Sequence, residues 1–270
     1  MKIVIYGCGW LGQQIGEHFR LKGHKVIGSY RSEESKEKLI EKEITPFYHT
    51  ASTEYSQISY EITDNTDLLI ISVPPIRNED PATYSVALQN VLLDFPDKTR
   101  VIFTSSTGIY PKVEGTFQED YSFTANERLN ELYLAEKGLR SIAQDRLTIL
   151  RLSGLVGNDR NPIKFLQGRN MHDDGKTPVA LVHAHDIIRF IDLLVEKDTF
   201  GEIFNLSYPG NQLKCDYYSK IAKALGFLPP NYADVPAPYR FIDSEKSQNV
   251  IGFSYEHDIS DANEFEELKR

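Results

Sequence analysis

The residues with the clearest chemistry are Gly7-Cys8-Gly9-Trp10-Leu11-Gly12, directly after the apolar run Ile3-Val4-Ile5-Tyr6. This order predicts a strand, a tight glycine turn and the start of a helix, which is the context a dinucleotide-binding fingerprint needs. Gly7 permits the sharp turn, Gly9 lets the backbone approach a pyrophosphate, and Gly12 lets the helix pack close to its strand. The N–H groups and positive dipole end of that helix then face the phosphates. The competing reading is a glycine turn that holds nothing.

A second group should select the cofactor. The next strand, 25–30, runs into Ser29-Tyr30-Arg31-Ser32. A carboxylate at this place accepts from the ribose 2′-hydroxyl of NAD, whereas an Arg accommodates the 2′-phosphate of NADP. Here there is no acid, and a guanidinium flanked by hydroxyls suits phosphate. NADP is therefore expected in preference to NAD. Against this, Arg31 is a solvated charge and Ser32 only caps a helix over 32–42.

Hydroxyls also cluster at Thr104-Ser105-Ser106-Thr107, where the strand predicted over 100–104 ends. Such a cluster suits polarising a substrate oxygen, although a turn rich in Ser, Thr and Gly explains it too. In Tyr133-Leu134-Ala135-Glu136-Lys137 a tyrosine and a lysine stand four residues apart, so both can reach one site from one helix face. The periodicity leaves another option open. Leu129, Leu132, Glu136, Leu139 and Ala143 make a stripe beside Tyr133, which could be core, with Lys137 facing solvent. Arg160 could grip an anionic substrate or be a solvated loop charge. His183, His185 and Asp186 invite a metal reading, but their spacing fits no strong zinc signature. Capping and internal hydrogen bonds are the expected roles there, and no metal is expected. His172-Asp173-Asp174-Gly175 reads as a turn.

Alternating strands and helices must position these groups. Helices are predicted over 9–22, with Leu11, Ile15, Phe19 and Leu21 inward, and over 84–95. Further strands are predicted at 45–49, 68–73, 147–152 and 202–206. The run Leu68-Leu69-Ile70-Ile71 is continuous and apolar, as in a strand buried on both faces of a parallel sheet. Pro74-Pro75 stops it, which places Val73 and Pro74 at the carboxyl edge, where ligands sit. A polar loop follows at 157–162, with a short segment at 163–166. A helix is expected over 186–197, and two more near 216–225 and 244–250. From Ser207 the chain is rich in Pro and Tyr, as in a small lobe. The expected fold is an α/β doubly wound parallel sheet of Rossmann type with a small C-terminal substrate lobe. Residues 1–152 with 181–207 form the cofactor domain, and 153–180 with 208–270 form the lobe.

At 270 residues, 40% hydrophobic and 26% charged, the chain can bury a sizeable core. Its net charge of −9 offers no basic footprint for nucleic acid or an anionic membrane, so neither is expected as a partner. Two cysteines, Cys8 and Cys215, make no disulfide framework. No apolar run approaches the roughly 18 residues of a membrane span. The chain enters a strand at once with no visible signal peptide, so a cytoplasmic location is expected.

Several segments together resemble the extended short-chain dehydrogenase/reductase family, also called the NAD(P)-dependent epimerase/dehydratase family. They are Gly-Cys-Gly-Trp-Leu-Gly at 7–12, Phe-Thr-Ser-Ser-Thr-Gly-Ile-Tyr at 103–110 and Ile-Leu-Arg-Leu-Ser-Gly-Leu-Val-Gly at 149–157. Leu-Val-His-Ala-His-Asp-Ile-Ile at 181–188, Ile-Phe-Asn-Leu at 203–206 and Ile-Asp-Ser-Glu-Lys…Ile-Gly-Phe at 242–253 complete the set. The start on GxGxxG resembles the atypical YeeZ-like branch. The resemblance implies a nicotinamide cofactor held by Gly7, Gly9, Trp10, Leu11, Gly12, Tyr30, Arg31, Ser32, Val73, Pro74 and Ser105. It implies Ser106 as the serine that orients a substrate carbonyl. Tyr133 and Lys137 are then the acid/base and its partner, unless Glu136 matches the family's helix glutamate. In that register Arg128 and Leu132 occupy the Tyr and Lys positions, and Ser106 with Tyr110 would have to work in another arrangement. A small polar substrate, with a sugar or nucleotide sugar as the family default, and a homodimer formed through helices beside the sheet are further implications. So is oxidoreductase or epimerase/dehydratase activity, with a cofactor-binding sensor as the alternative.

Overall fold

The computed structural model describes residues 1–75, 79–157 and 159–269. Asn158 of the expected polar loop lies outside the described residues. In chain order the first half contains β1 (Lys2–Tyr6), α1 (Trp10–Leu21), β2 (Lys25–Tyr30), α2 (Glu33–Glu41), β3 (Thr45–Tyr48), α3 (Tyr60–Thr63), β4 (Leu68–Ile71), α4 (Pro81–Leu93), β5 (Arg100–Ser106), β6 (Gly115–Phe117) and α5 (Glu131–Ala143). It continues with β7 (Leu147–Leu152), β8 (Gly154–Val156), α6 (Ile163–Leu166), β9 (Leu181–His183), α7 (Ala184–Glu196), β10 (Ile203–Leu206), α8 (Lys214–Leu225), β11 (Arg240–Ile242) and α9 (Glu245–Ile251).

Seven strands form one parallel sheet in the order β3-β2-β1-β4-β5-β7-β10, the doubly wound arrangement expected. The register pairs Ile3 with both Val26 and Leu68, and Leu69 with Val101. β4 is wholly buried, as its unbroken apolar run requires of a central parallel strand. Strand order first reverses between β1 and β4, and that switch point is where ligands bind in such sheets.

Two compact units divide the chain. One comprises Met1–Ile109, Ser122–Arg151 and Asp198–Ile203; the other comprises Tyr110–Tyr121, Leu152–Lys197 and Phe204–Arg270. The expected division kept 181–207 with the sheet, whereas most of that span clusters with the second unit. Within the second unit β6 pairs with β11 and β8 with β9, both in parallel. A core of Val156, Leu181, Tyr217, Ile221, Ile259 and Phe265 lies beneath α8. Sequence periodicity misses these strands because each is three residues long.

In the first unit the helices follow local rules. α1 buries Leu11, Ile15 and Phe19, one residue per turn. Leu21, expected inward, is 70% exposed. It stands two residues beyond Phe19, on the far side of a 3.6-residue turn. α4 begins at Pro81 and not at Tyr84, because Asp80 caps it by accepting from the Ala82 N–H at 2.8 Å. Proline is well suited to the first helical position. Among the described residues no helix is long and apolar enough to cross a membrane.

Candidate functional site

The turn after β1 is built as its glycines require. Gly7 has φ +93°, a left-handed conformation, and a Cβ on it would lie 2.5 Å from the Ser72 carbonyl oxygen. A Cβ on Gly12 would lie 2.8 Å from the Gly7 oxygen and 3.2 Å from Ile5 Cγ2, so only glycine lets α1 pack this close to β1. Nothing lies within 4 Å of the Cβ position of Gly9, which is exposed. That face of the turn is open to a ligand.

The start of α1 is also open electrostatically. No side chain caps it, and its first turn carries no acidic residue. α2, α4 and α5 are closed by Ser32, Asp80 and Asn130 respectively. The positive end of α1 is thus left without a capping side chain, as an anion site requires. A cleft of about 440 Å³ opens there, within the first unit.

Of the expected cofactor residues, Gly7, Gly9, Tyr30, Arg31, Ser32, Val73 and Pro74 line this cleft. Trp10, Leu11, Gly12 and Ser105 do not. Leu11 and Ser105 are buried, and the Ser105 hydroxyl is committed to Glu136 at 2.6 Å. Sequence reasoning overlooked His49 and Thr50–Thr53, which form another wall. The polar stretch after β3 has no periodicity to mark it, but it follows a strand whose carboxyl end lies beside that of β2. His49 Nδ1 is hydrogen-bonded to the Tyr6 hydroxyl at 2.7 Å. Burial pushes the Tyr6 phenol far above its ordinary pKa, so it stays a neutral donor or acceptor.

At the end of β2, Arg31 is exposed on the cleft wall beside Ser32 and Ser35. Ser32 is at the same time the cap of α2. It accepts from the Ser35 N–H at 3.2 Å, and Ser35 Oγ accepts from the Ser32 N–H at 3.1 Å. The two readings of Ser32, cap and cleft residue, are thus not exclusive. Tyr30 packs on Tyr48 at 5.7 Å, with the Lys36 ammonium 5.7 Å from the Tyr30 ring centroid.

Open space above Gly9, the uncapped helix and the guanidinium–hydroxyl wall all fit a nicotinamide dinucleotide. Gly7, Gly9 and the first turn of α1 would hold its pyrophosphate. Val73 and Pro74 would line its path, and the bound nicotinamide would supply hydride donation or acceptance.

The end of β5 is different. Ser106 Oγ accepts from the Gly108 N–H at 3.0 Å. Glu136 on α5 is 6% exposed and Arg151 on β7 is 3% exposed. They form a forked pair, Arg151 Nη2 to Oε2 at 2.8 Å and Nε to Oε1 at 3.1 Å. Glu136 lies on the buried face of α5 with Leu132, Ala135, Leu139 and Ala143. Leu132, one turn earlier on the same face, is buried, and its Cδ1 lies 3.8 Å from the Cβ position of Gly108. Tyr133 packs on the Phe123 ring at 5.1 Å, and Lys137 is exposed. Leu132 thus stands beside the Ser106–Gly108 turn. Tyr110 is buried, with its hydroxyl 2.8 Å from Asn205 Oδ1, a packing role in the second unit. Arg160 is exposed.

In the second unit His183 caps α7 by accepting from the His185 N–H at 3.3 Å. Asp186 is buried and accepts from the backbone of Glu256 at 3.0 Å and of His257 at 3.2 Å. The residues 172–175 bend as expected, with Asp173 Oδ1 accepting from the Gly175 N–H at 2.9 Å.

Similarity to known proteins agrees with this geometry. The chain is 29% identical over 267 residues to Protein YeeZ of Escherichia coli strain K12, covering 95% of this chain and 96% of the relative. A UDP-glucuronic acid 4-epimerase from Bacillus cereus, solved with NAD, superposes with a TM-score of 0.77 at 16% identity, covering 100% and 98% of the two chains. A conserved protein of unknown function from Silicibacter pomeroyi superposes with a TM-score of 0.75 at 18% identity, covering 95% and 94%. The model of the NAD dependent epimerase/dehydratase family matches residues 3–207, and the chain belongs to that family.

Proposed function

We propose that this protein binds NADP in preference to NAD in the first-unit cleft and serves as an oxidoreductase or epimerase-like enzyme on a small polar substrate. The observation that carries the cofactor reading is the uncapped start of α1, which opens on a cleft whose far wall presents Arg31, Ser32 and Ser35. An arginine and two hydroxyls suit a 2′-phosphate, and β2 itself ends on Ser29-Tyr30 and not on an acid that could accept from a ribose hydroxyl. Ser106 is the residue proposed to meet the substrate oxygen. A sugar nucleotide is the favoured substrate class, because similar epimerases are solved in complex with UDP-glucuronic acid and with a formylated UDP-arabinopyranose. A homodimer and a cytoplasmic setting belong to the same reading. Both cysteines are free, which suits a reducing compartment.

A second reading is favoured by one observation: the apolar Leu132, which takes the lysine position if Glu136 is the family's helix glutamate, stands beside the Ser106–Gly108 turn. On that reading the protein holds its cofactor without turnover, as a sensor. Binding of NADPH and NADH to wild type and Arg31→Ala, followed by cofactor fluorescence and thermal shift, tests the first part. Tighter NADPH binding that Arg31→Ala removes is the expected result. Equal binding of both cofactors overturns the NADP assignment. Following the reduced-nicotinamide absorbance with a panel of nucleotide sugars separates enzyme from sensor.

A further inference from the structure

The His183–His185 pair acquires a third imidazole that the sequence does not announce. His257, from the segment after α9, brings its ring to 4.3 Å from His183 and 5.0 Å from His185, with His183 and His185 5.0 Å apart. One ring nitrogen from each of the three lies within 4.8 Å of the other two. Glu264 completes the group. Its Oε2 accepts from His257 Nδ1 at 2.9 Å and lies 3.9 Å from His183 Nε2. All four residues belong to the second unit.

Two features set this group apart from ordinary packing. His183 is 1% exposed, and its Nε2 has no hydrogen-bond partner. Buried polar atoms are rarely left so. The His257 segment is also held deliberately. Asp186, itself buried, accepts the Glu256 and His257 backbone N–H groups and pairs with Arg189 at 3.0 Å. A carboxylate that holds the far nitrogen of one imidazole is the usual outer partner of a metal-ligating histidine.

We propose that His183, His185 and His257 bind a divalent transition-metal ion of the zinc type, with Glu264 orienting His257 as an outer partner. Three imidazoles match the nitrogen preference of Zn²⁺, Co²⁺ and Ni²⁺ and offer nothing to Mg²⁺ or Ca²⁺, which take oxygen. With Glu264 on Nδ1, the Nε2 lone pair of His257 is the one left to ligate. His183 would ligate through its unpartnered Nε2, shifting its ring proton to Nδ1 and giving up the long 3.3 Å contact with the His185 N–H. Burial and the two neighbouring rings hold the His183 pKa down to about 3, so the ring is neutral at neutral pH. Zn–N bonds of about 2.0–2.1 Å require the three nitrogens to draw closer than their present spacing and the His257 ring to turn out of its 13° stack on His183, so that the in-plane lone pairs converge. The ion would tie the β9–α7 junction to the C-terminal segment.

The test uses full-length, tag-free protein stripped with a chelator. Titration with Co²⁺ should give visible absorption bands of low-symmetry coordination that saturate at one ion per chain, and Zn²⁺ should abolish them. His257→Gln and His185→Gln should each weaken binding more than tenfold, and Glu264→Gln by about tenfold or more. Native circular dichroism in either histidine variant is enough for the comparison. No saturable Co²⁺ or Zn²⁺ binding, or affinity unchanged in the folded variants, overturns the site.

Discussion

Two strand ends of one sheet treat their polar groups in opposite ways. After β1 the chain leaves helix donors uncapped and keeps the space above Gly9 clear. After β5 the polar groups close on one another: Ser105 bonds to Glu136, Glu136 to Arg151, and Ser106 accepts from Gly108. An uncapped helix end loses little while water can reach it, and gains when an anion does. A buried carboxylate has no such latitude and must be paired. The first strand end is therefore organised for a ligand, and the second is organised around its own ion pair.

The largest effect should come from that pair. Glu136→Ala takes the carboxylate away from the buried Arg151 guanidinium, with an expected loss of about 3–5 kcal/mol in stability by denaturant unfolding. A loss below about 1 kcal/mol would mean that the pair does not hold α5. Gly9→Val should separate binding from folding. Its side chain meets open space, so stability should change little, while NADPH affinity should fall by roughly a hundredfold, because a side chain now blocks the pyrophosphate. Retained affinity would remove the glycine turn from the site. Arg31→Ala should weaken NADPH binding by about tenfold to a hundredfold, the worth of a hydrogen bond between charged groups, and leave NADH unchanged. Lys137→Ala is the smallest change. Stability should shift by less than about 0.5 kcal/mol, and any turnover should stay within twofold. A large loss of turnover would restore the Tyr133/Lys137 pair to the centre of the chemistry.

The thiols offer a further contrast inside the glycine turn. Burial pushes the Cys8 pKa up to about 12, so at pH 8 the nucleophilic thiolate is nearly absent. Mass spectrometry after alkylation of native protein should find Cys8 unlabelled, and unfolding should expose it. Rapid native labelling of Cys8 would show that the turn opens.

The cofactor half was readable because its determinants are local. A positive φ, a missing Cβ and an apolar strand before an amphipathic helix are properties of neighbouring residues, and Gly7, Gly12 and β1 through α1 stand where they indicate. The short pairs β6–β11 and β8–β9 were not readable, because three residues carry no period and their partners are distant in sequence.

The chain order by itself determined the parallel sheet, the glycine turn and the choice of an arginine over an acid after β2. Tertiary structure alone decided how α5 is rotated. Tyr133/Lys137 and Leu132/Glu136 are adjacent stripes on one helix, and burial of Leu132, Ala135, Leu139 and Ala143 together with pairing of Glu136 to Arg151 on β7 turns the second inward. Tertiary structure likewise decided the company of His183 and His185. Their third ring comes from His257 far along the chain, brought in by backbone bonds to Asp186. Local spacing specifies how a turn or helix forms, but which side chains meet depends on free energies of burial and pairing summed over the whole fold.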